Sequence, residues 1–534
     1  MQQTLLLCLS LLVLISVVVT VGQRLRIPNP IFLVISGLLI SFIPGVPRIE
    51  IESELIFLIF LPPLLYEAAW FTSWHDFWRW RRIIITLAFG LVIFTAFAVA
   101  SVSSILIPGF SLALGFLLGG IVSPPDAVAA TSVLRTVNVP KRLLSILEGE
   151  SLINDASSLT VFQFALAAML SGTFVMQTAV VSFLWVTFGG IGIGLAVAGV
   201  FYAIHRWIPS PIRISILLTF ILPYTLYLAA ERVHVSGVMA VVSGGLFMAN
   251  QRDVILNHSA RLQSISMWAT VVFALNSAVF ILIGLELPVI IAGLDGYSPY
   301  EATAYALLIT LVVILTRIFG AYVSAGFTWL VGRVMPTAVA ETNPGWRAPT
   351  IVGWAGMRGV VSLASALSVP LTLTNGTPFP HRNLILFITF VVILVTLVFQ
   401  GITLPLVVRW VRYEDTDSTL SEDEQESIIR IKLLDVALKR LSTEYDGDVA
   451  ANELIENLKS RLETDRQLTS QRLHSLDCGM TKTDRYNEVL TDIIATQRRT
   501  LQHFRRKQEF NDEVIRKEEA LLDLEEERLD HPIH

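Results

Sequence analysis

Gly149-Glu150-Ser151-Leu152-Ile153, followed by Asn154-Asp155, sets two carboxylates and an asparagine inside a stretch, residues 143–170, that is otherwise apolar enough to cross a bilayer. Groups of this kind are expensive to bury in hydrocarbon, and those that are buried there mark ion or proton pathways. Asp155 is the sharpest case. It lies near mid-span with no basic residue within a helical turn, so its carboxylate either keeps a proton or meets a cation. A carboxylate joined by hydroxyls, carbonyls and waters is the oxygen-rich shell that hard cations such as sodium and lithium favour. No His or Cys cluster with metal-ligand spacing competes with that chemistry.

Other ionisable residues lie within apolar spans: Glu67, Asp126, Glu148, Glu286, Arg317 and Arg358. For Glu286 and Arg317 we expect structural pairing or snorkelling at helix ends. Two further segments interrupt helices at membrane depth, Ser123-Pro124-Pro125-Asp126 and Gly353-Trp354-Ala355-Gly356-Met357-Arg358-Gly359. Unwound backbone is tolerated there only where protein or a water-lined cavity satisfies its N–H and C=O groups. Proline kinks and glycine-packed contacts are common in membrane proteins, but these two segments lie seven spans apart. An odd offset gives them opposite senses, the pattern of inverted-repeat transporters with a site at the bilayer midplane.

The elements that must position these residues are membrane helices. Of the 534 residues 53% are hydrophobic and only 16% charged, and the mean hydropathy is +0.64, beyond what a soluble domain carries. Up to Arg412 there are 21 Lys and Arg against 15 Asp and Glu; beyond it, 18 against 29. An apolar body (1–412) is therefore joined to an acidic tail (413–534). The first apolar run starts at Thr4 without a basic leader or a small-residue cleavage site and reads as a retained helix. Cys8 and Cys478 fall on opposite sides of the composition boundary and predict no disulfide.

The body divides into about thirteen spans of roughly 20 residues each, the length a bilayer requires. Alternate loops carry 16 basic residues, among them Arg79, Arg81, Arg82, Lys141 and Arg142, against three, Arg48, Arg232 and Arg382, in the opposite set. By the positive-inside rule the N-terminus lies outside and the tail in the cytoplasm. In the tail, Ile431, Leu434, Leu438 and Leu441, and then Leu490, Ile494, Leu501 and Phe504, suggest amphipathic helices with breaks at Gly447 and Gly479.

Together, Gly149 to Asp155, Leu61-Pro62-Pro63-Leu64-Leu65-Tyr66-Glu67, Asp126-Ala127-Val128-Ala129 and Gly356-Met357-Arg358-Gly359 resemble the monovalent cation:proton antiporters of the first type, the bacterial sodium/proton exchangers related to animal ones. The resemblance covers nearly all of residues 1–412. It implies an all-α polytopic fold of about 13 membrane helices with inverted repeats, two discontinuous helices and a helical cytoplasmic tail, in a plasma-membrane homodimer serving pH homeostasis. It further implies that Asp155 binds the transported ion, with Asn154 beside it and Ser151, Glu67 and Asp126 as further ligands or water-mediated contacts, and that Glu150 forms an ion bridge with Arg358. The family usually has threonine, aspartate and proline where this chain has Pro125, Asp126 and Ala127.

Exchange of Na+, or of Li+ or K+, for protons is the resulting expectation, electroneutral and one for one because Asn154 carries no exchangeable proton. A cation channel and a potassium-preferring antiporter are the alternatives, but no repeated selectivity-filter segment supports a channel. No nucleophile, phosphate-binding or metal motif supports an enzyme, and neither cofactor nor nucleic acid is expected.

Overall fold

A computed structural model of the protein describes residues 2–25, 28–43, 53–134, 137, 139–171, 176–208, 211–285, 287–294, 296–334, 345–373, 376–413, 422–446, 452–475, 482–507, 514–515, 517–519 and 521–523. The chain forms two compact units, Met1–Glu414 and Asp415–His534. Among the described residues all regular structure is helical, apart from an isolated bridge between Thr372 and Pro378.

The first unit begins with α1 (Gln2–Leu25), α2 (Asn29–Ser41) and α3 (Ser53–Phe71). Next come α4 (Trp74–Ile85) and α5 (Val92–Leu106), joined by a π-helical turn at Thr86–Leu91, then α6 (Leu112–Val122), α7 (Ala127–Leu134) and α8 (Lys141–Ser171). The chain continues through α9 (Met176–Trp207), α10 (Ile212–Arg232), α11 (Gly237–Asn250), α12 (Arg252–Ile255), α13 (His258–Leu285) and α14 (Leu287–Ala292). It closes with α15 (Pro299–Val334), α16 (Arg347–Trp354), α17 (Val360–Leu367), and α18 (Arg382–Val395) running through a second π-helical turn, Thr396–Gln400, into α19 (Gly401–Val411). Eight helical runs are long and apolar enough to cross a membrane among the described residues, with four shorter apolar helices beside them. That tally does not reach thirteen, because α16 and α17 are each too short to count alone.

Local chemistry explains the elements that build the centre. Ser111 caps α6 by accepting a hydrogen bond from the Leu114 amide at 3.2 Å, and Pro124-Pro125, which cannot continue a helix, ends it. Small residues bring α6 close to its neighbours: a Cβ on Gly115 would lie 2.7 Å from the Ala100 Cα of α5, and one on Gly120 would lie 2.8 Å from the Phe162 backbone of α8. Close backbone approach through small residues is the usual way membrane helices pack.

Helix α8 lies between two hydrophobic cores. Its Leu152, Ala156 and Leu159 pack with residues of α3, α10, α11 and α13 such as Tyr66, Leu226, Val242 and Trp268. Ile146, Ile153 and Phe162 join the other core, with residues of α5, α6, α15 and α18. The helix must therefore place its polar side chains on the faces that remain.

The second unit contains α20 (Glu422–Glu444), α21 (Glu453–Ser475) and α22 (Lys482–Lys507). Arg466 of α21 donates to Asp435 of α20 at 2.5 Å, and Ile494 of α22 is buried. Helix α21 sets Leu454, Leu458 and Leu462 at four-residue spacing among charged residues. Gly447 and Gly479 lie outside the described residues.

Candidate functional site

The two interrupted runs meet. Between α6 and α7 the chain is unwound at Pro124–Asp126, and between α16 and α17 at Gly356–Gly359. The Asp126 amide donates to the Met357 carbonyl at 2.7 Å, and Arg358 Nε to the Val122 carbonyl at 2.8 Å. Buried backbone polar groups need partners, and this crossing supplies most of them from within. Pro124 and Pro125 have no N–H to satisfy. The Pro125 carbonyl accepts from Asn154 Nδ2 at 3.2 Å, the Gly356 carbonyl accepts from Arg358 Nη1, and the Arg358 amide donates to Thr396 Oγ1 at 3.1 Å.

Charge is matched to the four helix ends that the breaks expose. The Asp126 carboxylate accepts from the Val128 amide at 2.9 Å and from the Ala129 amide at 3.3 Å at the start of α7. The Val360 amide at the start of α17 also acts on it. The Arg358 guanidinium serves the last carbonyls of α6 and those following α16. An anion at helix N-termini and a cation at C-termini is the arrangement that the helix dipole favours. Gly359 is required for it: a Cβ there would strike the Asp126 carboxylate. Gly359→Ala is therefore expected to destabilise the protein by about 1–3 kcal/mol, the usual cost of overpacking. Thermal unfolding in detergent checks this, with Gly192→Ala, where nothing lies within 4 Å of an added Cβ, as the control expected to lose nothing.

Helix α8 brings its polar residues to this crossing on two faces. Glu150, Asn154 and Ser157, at i, i+4 and i+7, share one face, and each engages a different element. Glu150 receives both guanidinium nitrogens of Arg317 from α15, one at 2.7 Å. Asn154 holds Pro125, and Ser157 donates to the Ala88 carbonyl, inside the first π-helical turn, at 2.5 Å. Ser151 and Asp155, also at i and i+4, share the neighbouring face and open onto a cavity of about 70 Å³, room for several waters or a cation with part of its shell.

That cavity is lined by Asp155, Asp126 and Ser151 together with Asn276 and Ser362. Its two carboxylates are in opposite states. Asp126 is held by amides, whereas among the described residues no hydrogen bond or ion pair reaches the Asp155 carboxylate. Ser151 accepts from the Ala127 amide at 3.3 Å and keeps its own proton to donate. Oxygen donors surround the open carboxylate, and among the described residues there is no His, Cys, Asp and Glu cluster of the kind that holds a structural metal.

Several expected roles change. The hydrogen-bonded partner of Glu150 is Arg317, whose fork meets both carboxylate oxygens, while Arg358 gives its Nε and Nη1 to carbonyls freed at the broken helices and reaches Glu150 only through its charge. Arg317 accordingly does not snorkel; it is buried. Asn154 faces the Pro125 carbonyl and ties α8 to the break instead of facing the cavity. Glu67 is not among the cavity-lining residues: α3 turns Leu61, Leu64, Leu65 and Ala68 to the cavity, and Glu67 falls one position off that face. Glu286 lies outside the described residues.

A family model described as "Sodium/hydrogen exchanger, transmembrane" matches residues 10–410. The chain belongs to that family. One sodium/hydrogen exchanger relative, an uncharacterized Na(+)/H(+) exchanger of Mycobacterium tuberculosis, is 33% identical over 530 residues, 98% of this chain and 96% of its own. The sodium, potassium, lithium and rubidium/H(+) antiporter of Bacillus pumilus is 34% identical over 436 residues, 79% of this chain and 63% of its own. The structure of the sodium proton antiporter MjNhaP1 from Methanocaldococcus jannaschii matches with a TM-score of 0.61 at 20% identity, covering 77% of this chain and 99% of that one. That likeness is one of fold. The exchanger is thus a multi-pass membrane protein with two discontinuous helices, as the motifs imply.

Proposed function

We propose that the protein exchanges monovalent cations for protons at Asp155, by alternating access around the crossing. One observation carries this reading: of two carboxylates on a common cavity, Asp126 is held by amides at a helix N-terminus and Asp155 has no partner among the described residues. Asp155 can then hold either a proton or a cation, and neither state leaves a bare charge in the membrane. The names of the relatives, which include Na(+)/H(+) and mixed sodium, potassium, lithium and rubidium antiporters, favour the same chemistry.

The simplest cycle moves one cation against one proton. Asn154 is neutral and engaged with Pro125, and Asp126 serves as the fixed countercharge of the crossing, so a single carboxylate remains to exchange. We further propose a plasma-membrane homodimer with the N-terminus outside and the 413–534 tail in the cytoplasm, in keeping with the loop charges. Proton flux in inverted vesicles, followed as lithium, sodium, potassium or rubidium chloride is added, tests the reading. Saturable alkalinisation with at least one of these salts is expected. Its absence with all four, in protein shown to be inserted, would refute the proposal.

A further inference from the structure

The cavity that holds Asp155 is also lined by α3 and α13. Helix α3 offers only hydrocarbon, from Leu61, Leu64, Leu65 and Ala68, while α13 contributes Asn276, the one polar side chain from these two helices. Asn276 is half-buried, and among the described residues its amide has no protein hydrogen-bond partner. The Ser362 hydroxyl of α17, whose residue is 1% exposed, lines the same cavity next to the break and is unsatisfied. Buried polar groups are normally hydrogen-bonded, so the Ser362 hydroxyl calls for an unseen partner.

A cation that leaves water for Asp155 must exchange its hydration for other oxygens. Among the cavity-lining side chains it finds Asp155, the remaining lone pair of Ser151, the Ser362 hydroxyl and the amide-held Asp126 carboxylate, and from α13 the Asn276 carbonyl oxygen. We propose that Asn276 is a cation ligand that sets specificity, completing the shell from α13 with a neutral oxygen while Ser362 supplies another. This assignment rests on the antiport reading above and adds to it which residues choose the ion. A neutral ligand tightens cation binding without changing the charge carried per cycle. Because Asn276 belongs to α13 and Asp155 to α8, movement of one helix past the other removes it from the shell and weakens the site for release. Smaller cations hold their water more strongly, so lithium and sodium depend on this oxygen more than potassium does.

The test is calorimetric titration of the detergent-solubilised full chain with lithium, sodium and potassium chloride, for the wild type, Asn276→Leu and Asn276→Asp, beside the vesicle assay. Asn276→Leu is expected to weaken lithium and sodium binding about tenfold and potassium binding less, while Asn276→Asp, which keeps the oxygen, restores them. Affinities for lithium and sodium within about twofold of the wild type in Asn276→Leu would overturn the assignment, as would an equal loss for all three cations in both variants, the mark of a merely structural residue. If the wild type moves no protons yet shows the expected binding pattern, the antiport reading fails and the ligand assignment stands.

Discussion

Asp155→Asn is expected to abolish exchange with every cation, at any membrane potential, while the protein still inserts and unfolds at close to the wild-type temperature. The substitution keeps the volume and removes the one ionisable group that the cavity leaves unpaired. Because the Asp155 carboxylate makes no hydrogen bond among the described residues, none is lost there, so the effect falls on transport and not on stability. Sodium-driven proton flux in proteoliposomes, with the unfolding temperature measured alongside, checks both halves. Retained flux would mean that Asp126 or Glu67 exchanges the proton instead.

Arg317→Ala should have the opposite profile, a large loss of stability and yield. Glu150 and Arg317 form a bidentate pair between α8 and α15, and both are buried. Removing one member of a buried pair leaves an uncompensated charge and costs about 3–5 kcal/mol. Arg358 lies near enough for its charge to act on Glu150, but it makes no hydrogen bond to that carboxylate: its Nε and Nη1 go to the Val122 and Gly356 carbonyls. The double variant Glu150→Leu with Arg317→Met should lose less than Arg317→Ala alone, since replacing both members of such a pair by apolar residues is often tolerated. Thermal unfolding of the three proteins in detergent measures the difference; a double variant as unstable as the single would show that the pair contributes little beyond its volume.

What the sequence makes legible is local. The spacing of Ser151 and Asp155 puts them on one helical face wherever α8 lies, and Pro124-Pro125 and the glycines at 356 and 359 interrupt their helices whatever surrounds them. The acid at mid-span without a basic neighbour is likewise visible in the residues alone. Partner choice is not. Two arginines lie within spans, and only the tertiary placement of α15 gives Arg317 to Glu150, while the carbonyls freed at the breaks take Nε and Nη1 of Arg358. Glu67 illustrates the same limit at finer scale: a single step around α3 separates it from the four residues that face the cavity. Asn276 was readable in principle as a lone amide in the apolar run 271–285, but a neutral side chain stands out less than a charge. Ser362 gives no signal in a segment with several serines.

The central claim, coupled exchange at one carboxylate, is tested most directly by recording sodium-22 movement and internal pH together in proteoliposomes, with the potential set by potassium and valinomycin. A potential works on each elementary charge moved by about 2.3 kcal/mol per 100 mV. The predicted result is one sodium ion per proton at every potential, with no net movement when the chemical gradients balance. Sodium flux without proton movement, or transport driven by the potential alone at balanced gradients, would contradict it.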